Sequence, residues 1–374
     1  MVPPFCPRPG CHAHFSPPRS DWWVRLGSYD TRLFGPVRRF GCKLCGKRFS
    51  SQTFSLDYYA KRTLCYLQLV RQFSSCCGIR ALARNFAVSK ATIENKLMRL
   101  SHQALALQVL ALRNHRLREN LLADGMQSFW VSQYFPTNIH LLLGEHSQFA
   151  YAYHGVTLRR SGRMSDSQRH RREQLETQFR ADPNGIACSF SVLTRVLTRL
   201  CTSAEGASVS LSTDMHKTYP RVLAGDGAAA LLIRTGRLRH LRYSSKHPRT
   251  TGNPLFSVNY MDRELRKDQA EHARETTRYA RAAHTAMERM AVYLLHHNFF
   301  KPYRINQPVD VPALHATEAG ISRGFIRWMN RWLTTRRVFL TRIPVPRPYA
   351  DVWLRMYQTP LSTVRPYLPL YATG

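Results

Sequence analysis

The stretch Leu121-Leu122-Ala123-Asp124-Gly125-Met126 places an acidic side chain inside an apolar run. Two further apolar runs follow, Ile139 to Leu143 and Phe149 to Tyr153, and turn-type residues stand at 136–138 and at 145–147. Short apolar runs separated by turn residues predict three strands in an antiparallel meander. A single aspartate in a strand is more often a solvated or capping residue, so Asp124 gains meaning only from what lies elsewhere in the chain.

A second acidic residue ends another predicted strand. Val209 to Thr213 runs into Asp214, and Pro220 then opens a helix. Carboxylates brought together from distant points of a chain can hold the metal ions used in phosphoryl transfer. The order of these elements predicts an α/β fold, an RNase H-like mixed sheet with flanking helices, in which Asp124 would bind metal at the centre of the sheet.

A third candidate element is helical. Asn259, Asp262, Arg263 and Arg266 are spaced i, i+3, i+4 and i+7 and so share one helical face, while Glu264 points elsewhere. Such a face could hold a metal ligand beside the phosphate that the metal activates. A solvated helix with ordinary ion pairs is the other interpretation.

Four cysteines near the N-terminus form two spaced pairs. Cys6 and Cys11 make a C-x4-C pair, and Cys42 and Cys45 make a C-x2-C pair, each beside Gly or Pro. Two such knuckles supply four thiolates to tetrahedral zinc, and the short strands between them are too small to form a core without metal. We therefore predict a zinc ribbon with a structural Zn2+. The alternatives are unlinked cysteines or a substitute histidine ligand, with the candidates His12 and His14.

A helix-turn-helix is predicted over Ile79 to Leu100, within a helical region that begins near Tyr58. Val88 would fill the turn and Ser89 would cap a second helix running from about Lys90 to Arg99. With Ile93 and Leu97 turned inward, five polar residues of that helix would face a DNA major groove: Lys90, Thr92, Asn95, Lys96 and Arg99. A plain helical hairpin is the alternative.

Charge points to a polyanionic partner. The 374 residues include 55 Lys and Arg against 23 Asp and Glu, a formal net charge of +32. Nucleic acid is the leading candidate, and an acidic membrane surface is the weaker one.

No apolar run of about 18 residues or signal-type N-terminus is seen, which predicts a cytoplasmic, nucleoid-associated protein without a membrane segment. The other cysteines are expected to be buried thiols, namely Cys65, Cys76, Cys77, Cys188 and Cys201.

The remaining segments are basic. An arginine-rich insertion is predicted at about 157–182, where a solvated face and a surface that follows DNA phosphates are both open interpretations. Its candidate DNA-binding residues are Arg159, Arg160, Arg163, Arg171 and Arg172. A long helix is expected from Thr276 to about Phe300. The Pro-rich tail would wrap DNA or a second protomer.

With these motifs the chain resembles insertion-sequence transposases that carry a zinc ribbon, a helix-turn-helix and a DDE-type RNase H-like domain. The resemblance is to a subset with asparagine in the position usually held by the catalytic glutamate. The resemblance runs from Cys6 to about Tyr303. It rests on Ala123-Asp124-Gly-Met-Gln-Ser-Phe, Ser132-Gln133-Tyr134, Arg159-Arg160-Ser-Gly-Arg163-Met164 with Gln168 and Arg171-Arg172, Ser212-Thr-Asp214-Met-His216-Lys-Thr-Tyr219-Pro220, Asn253-Pro-Leu-Phe-Ser-Val-Asn259, Arg263, Arg266 and Arg274-Glu275-Thr276.

The resemblance implies specific roles. Asp124 and Asp214 would be the first two catalytic carboxylates, binding Mg2+ or Mn2+, and Asn259 would take the third position. Arg263 and Arg266 would match the basic pair of the family. Because Asn259 is neutral, Asp262 one turn along is the second candidate for the third position on chemical grounds.

Four domains are therefore expected: a zinc ribbon (1–56), a helix-turn-helix domain (57–116), a catalytic domain (117–303) and a basic C-terminal extension (304–374). The expected function is DNA transposition, with double-stranded DNA as transposon ends and target, in a homodimer or larger assembly. A catalytically inactive, transposase-derived DNA-binding protein is the alternative. A structure-selective nuclease or an RNA-guided accessory on the same fold is a third possibility.

Overall fold

A computed structural model describes residues 2–204, 207–244, 246–248, 250–273, 276–304, 306, 312–369 and 372. Near the N-terminus, a short helix α1 (His12–Phe15) precedes an antiparallel sheet of three strands. Its strands are β1 (Trp23–Thr31), β2 (Gly35–Cys42) and β3 (Arg48–Ser50). A small aromatic core, separate from the main core of the chain, lies beneath this sheet.

Three helices follow, namely α2 (Tyr66–Phe73), α3 (Ile79–Asn85) and α4 (Lys90–Leu112). The Ser89 hydroxyl accepts a hydrogen bond from the Thr92 amide at 3.2 Å, so Ser89 caps α4 as predicted. The helix was expected to end near Arg99, but it continues for thirteen more residues. The reason is burial: Leu100, Leu105 and Leu107 are almost completely enclosed, so the second half of α4 is a core helix of the following sheet.

The main sheet has five strands in the order β6-β5-β4-β7-β8. The first three are antiparallel neighbours, whereas β7 and β8 run parallel to β4. This is the mixed α/β sheet expected from the sequence, with the strand order of an RNase H-like fold. The strands are β4 (Leu121–Phe129), β5 (Pro136–Gly144), β6 (Ala150–Thr157), β7 (Val209–Asp214) and β8 (Leu238–Tyr243).

Helices cover both faces of this sheet. On one face, the Ser189 hydroxyl lies 2.8 Å from His140 Nδ1, which anchors a helix to the central strands. On the other face, Tyr153 donates to the carbonyl of Met287 at 2.9 Å. The helices between and after the strands are α5 (Asp166–Glu176), α6 (Gly185–Thr202), α7 (Thr218–Gly225), α8 (Gly227–Arg234), α9 (Phe256–Asp268) and α10 (Ala283–Phe299).

The C-terminal segment contains α11 (His315–Glu318), α12 (Arg323–Arg331) and α13 (Arg347–Trp353). Between α12 and α13 the chain returns to the N-terminal sheet, where Phe339 is 2% exposed and its ring lies 5.0 Å from that of Phe5. Tyr349 then donates to the carbonyl of Tyr151 on β6. Phe339 and Tyr349 therefore pack on the chain itself, whereas Met356, Val364 and Tyr367 are exposed. The expectation that the tail wraps DNA or a second protomer stays a prediction.

Several expected boundaries were wrong. Pro136-Thr137-Asn138 begins β5 and is not a turn, because the turn lies at 130–135. The long helix begins at Ala283 and not at Thr276. All five non-ribbon cysteines were expected to be buried, but Cys65 and Cys188 are exposed, Cys76 and Cys77 are half-buried, and Cys201 alone of the five is buried. No helix in the described residues combines the length and apolar composition needed to cross a membrane.

Candidate active site and metal centre

The four paired cysteines converge. Their sulfur atoms all lie within 4.8 Å of one another, with Cys6 Sγ 3.6 Å from Cys45 Sγ and Cys11 Sγ 3.7 Å from Cys42 Sγ. β2 ends at Cys42, and the backbone turns at Gly46, whose positive φ of 70° suits glycine. Four free thiols in this arrangement have the chemistry of a tetrahedral zinc site.

The suggested histidine substitutes do not join this cluster. His14 is buried and both ring nitrogens have partners, the Cys6 carbonyl at 2.7 Å and the Thr341 hydroxyl at 3.2 Å. His12 is exposed. The group that is close enough to hold a metal is therefore made of cysteines alone.

Two of the five residues expected to face a DNA groove are buried. Lys96 and Arg99 are 2% and 4% exposed, whereas Lys90 and Asn95 are exposed and Thr92 is half-buried. Lys96 forms an ion pair with Asp57, and Arg99 donates to the carbonyls of Leu56 and Tyr58 at 2.9 and 2.7 Å.

The outward orientation predicted for Lys96 and Arg99 was therefore wrong. Both were expected to face away from Ile93 and Leu97, although Lys96 follows Ile93 by three residues and so borders the same helical face. The chain leaving the ribbon at 56–58 covers both side chains. Their side chains join the ribbon to the helix and do not form part of an open reading face.

The two predicted catalytic aspartates lie on adjacent parallel strands. Asp124 is the fourth residue of β4, and Asp214 is the last residue of β7. Leu121 pairs with Leu211 and Leu122 pairs with Ser212, so extending this register by two residues aligns Asp124 with Asp214. Both carboxylates are half-buried.

Tyr219 lies near both predicted catalytic carboxylates. This side chain, on α7, is 3% exposed, and its pKa is raised by burial and then by the charges of Asp124 and Asp214. Both charges act on the pKa of Tyr219 because the two carboxylates lie close to its hydroxyl. Tyr219 belongs to one of the motifs singled out in the sequence, but only the fold reveals this position.

β5, the strand beside β4, packs closely against Gly125. A Cβ atom added at Gly125 would lie 2.1 Å from the side-chain oxygen of Asn138 on β5. The Gly125 amide also donates to Asp124 Oδ1 at 2.7 Å. Glycine is therefore needed here for close approach, and it lets Asn138 pack against β4 on the face opposite to the Asp124 side chain.

The third predicted element packs against the same strand. Arg266 on α9 donates to the carbonyl of Gln127 on β4 at 3.0 Å and to that of His272 at 3.1 Å. Asn259 and Asp262 precede Arg266 by seven and four residues, so they lie on the same side of α9. Both are half-buried. Arg266 thus ties α9 to the strand that carries Asp124.

The other side of α9 is occupied. Glu264 is 4% exposed and forms ion pairs with Lys301 and with Lys267, the latter at 2.7 Å. The Glu264 carboxylate is therefore paired with two lysines. Arg263 is exposed and lies over the Tyr260 ring at 5.2 Å, and its guanidinium remains open to solvent.

The arginine-rich segment is partly neutralised from within. Arg159 makes two hydrogen bonds to Glu176, at 2.8 and 3.1 Å, and Arg172 lies 3.6 Å from the same carboxylate. Arg160 donates to the carbonyl of Gln133 at 3.2 Å. Arg163 and Arg171 remain exposed. The motif residues Arg274 and Glu275 lie outside the described residues.

Within the described part of the chain, the four cysteines are the one group of three or more Cys, His, Asp or Glu side chains placed to hold a metal ion. Asp124, Asp214 and Asp262 do not form such a group; the structure shows two half-buried carboxylates, Asp124 and Asp214, on neighbouring strands. Neither a protein-family model nor a curated protein matches this chain.

Proposed function

We propose that this protein is a DNA transposase, which binds transposon ends and catalyses metal-dependent strand cleavage and strand transfer. The observation that carries the proposal is the alignment of Asp124 and Asp214 on neighbouring parallel strands of an RNase H-like sheet. The helix that carries Asn259 and Asp262 packs on the same strand through Arg266. Strand order and the chain positions of the acidic residues agree with the resemblance drawn from the motifs.

The donor atoms at this edge suit Mg2+ or Mn2+. Asp124 and Asp214 offer carboxylate oxygens, and Asn259 offers an amide oxygen, which are the ligand types that hard divalent cations prefer. A bound divalent ion would supply Lewis-acid activation of water and of a 3′ hydroxyl. Arg263, with its exposed guanidinium one turn from Asn259, would bind a DNA phosphate beside the carboxylates.

DNA binding is supported by charge and by the surface beside the ribbon. A groove of about 890 Å3 there is lined by cations and by exposed aromatic rings, of which Tyr59 is 79% and Tyr29 is 40% exposed. Cations between aromatic rings are typical of surfaces that bind nucleic acid. The cationic residues of this groove are Arg39, Lys47, Arg48 and Arg336.

The test is strand cleavage and joining on a labelled fragment that carries the DNA ends flanking the gene, with Mg2+ or Mn2+. We expect Asp124→Ala and Asp214→Ala to abolish cleavage while DNA binding persists, because removing a carboxylate also removes repulsion of phosphate. The matched control is Asp166→Ala, since that side chain is 94% exposed on α5. Normal cleavage by either of the first two variants would refute the assignment.

A second candidate is a DNA-binding protein without catalytic activity. The observation that favours it is the neutral side chain at position 259, which leaves the edge with fewer fixed charges than three carboxylates would provide. Binding of the DNA ends without cleavage by the wild-type chain in either metal would support this candidate. If the wild type cleaves, comparing Asn259→Ala with Asp262→Ala identifies the third ligand.

A further inference from the structure

A second cleft lies at the opposite end of the main sheet from the two aspartates. It has a volume of about 380 Å3 and lies between the end of α4, the second half of α6 and residues 344–349. The Ser203 hydroxyl, just after α6, accepts from the Leu117 amide at 3.3 Å, close to the start of β4. Asp214 is at the far end of the parallel strand β7. The cleft is therefore distinct from the carboxylate edge.

The wall of this cleft is apolar and its mouth is basic. Leu112, Val196 and the Pro344-Val345-Pro346 stretch contribute the wall. Arg113, Arg195 and Arg199 are exposed around it. In the described residues, no Asp or Glu lines the cleft.

These arginines are not needed to complete the local structure. The last carbonyls of α6, at Cys201 and Thr202, accept hydrogen bonds from Arg237 at 3.2 and 3.3 Å. The ion pairs of the described residues give no acidic partner to Arg113, Arg195 or Arg199. Arg347, also at the cleft, pairs with Asp351 at 3.4 Å. With no acidic side chain among the described residues that line the cleft, the three guanidinium groups give its opening a positive potential that attracts anions.

We propose that this cleft binds one nucleotide unit, with the base against the apolar wall and the phosphate between Arg113, Arg195 and Arg199. Guanidinium groups bind phosphate through paired hydrogen bonds, and a cleft of this volume lies within the usual range for small-ligand sites. The nucleotide is either a free mononucleotide or one residue of a DNA strand. The proposal does not depend on the metal chemistry at Asp124 and Asp214.

The test is calorimetric titration of the full-length protein with deoxyadenosine monophosphate. We compare Arg195→Ala/Arg199→Ala with Arg323→Ala/Arg327→Ala, which removes two exposed arginines at the same spacing on α12. We expect the first pair to weaken binding at least about tenfold and the control pair to leave it within about twofold. Arg113→Ala, on a different element, should also weaken binding.

A parallel titration with a single-stranded decanucleotide distinguishes the two sources. An equal loss for the decanucleotide in the first variant pair identifies a DNA strand as the ligand, and no loss identifies the free nucleotide. Three results would overturn the proposal: no saturable binding of the nucleotide, equal losses in both variant pairs, or inorganic phosphate binding as tightly as the nucleotide. The altered arginines are all exposed, so the variants should fold.

Discussion

Lys96 provides the sharpest test of how the ribbon and the helical region are joined. Its side chain is 2% exposed and forms an ion pair with Asp57, whose side chain is 12% exposed and also accepts a hydrogen bond from Tyr66 at 2.7 Å. Burial lowers the pKa of Lys96, while Asp57 acts in the opposite direction. Replacing Lys96 with Met leaves the Asp57 carboxylate enclosed without its cation. Breaking a buried pair from one side costs about 3–5 kcal/mol of unfolding free energy.

The double variant Asp57→Leu/Lys96→Met should be more stable than Lys96→Met alone, because no charge is then stranded. Lys90→Ala is the matched control. Lys90 is exposed and pairs with Glu94 at 3.2 Å across one helical turn, so its loss should change stability by less than about 1 kcal/mol.

The assay is urea unfolding of each variant, together with DNA affinity across a range of salt concentrations. If Lys90 contacts a phosphate, Lys90→Ala should reduce the slope of log affinity against log salt by about one, while Lys96→Met should not. The reasoning fails if Lys96→Met costs less than about 1 kcal/mol. It also fails if Lys96→Met reduces the salt slope while leaving stability unchanged.

Three further predictions concern the ribbon, acid stability and the tail. Cys42→Ser should lose bound zinc, measured by elemental analysis, while Cys188→Ser outside the cluster keeps it; equal zinc content in both would contradict the four-thiolate site. Burial lowers the pKa of His102 to about 3. Below pH 6.5 the unfolded chain therefore takes up a proton that the folded chain does not. Stability that is present above pH 6.5 is lost as the pH falls toward 3. The phenylalanine ring of His102→Phe can still stack on Trp353. Between pH 7 and 5 this variant should lose about 2 kcal/mol less unfolding free energy than the wild type. An unchanged loss in urea titrations would refute this. Phe339→Ala should destabilise the ribbon by about 3–5 kcal/mol, seen as faster proteolysis near residue 54, whereas the exposed Val364→Ala should not.

The exposed cysteines, Cys65 and Cys188, show that residue type alone does not predict burial. Cys188 lies on the solvent side of α6, with its thiol 3.7 Å from Asp182, although α6 buries many of its other residues. An amphipathic helix has two faces, and the residue type alone does not say which face a cysteine occupies. Cys201, on the same helix, is fully buried.

The sequence by itself determined the features that depend on local spacing. The cysteine pairs indicated one metal cluster because the ligands of a knuckle are close in the chain. The apolar runs around Asp124 and Asp214 indicated strands because short apolar runs bounded by turn residues are typical of buried strands. The Ser89 cap was likewise readable from the residues beside it.

Only the tertiary structure decided which surfaces stay open. On a helical projection Lys96 borders the apolar face of α4 and Arg99 looks solvent-facing, yet the chain at 56–58 covers both side chains. Phe339 completes a core whose other aromatic residues, such as Phe5, all lie within residues 5–54. Bringing Asp124 and Asp214 onto neighbouring strands likewise required β7 to lie next to β4. Contacts between residues far apart in the chain leave no periodic trace in the sequence, because burial of a side chain depends on every element that packs against it.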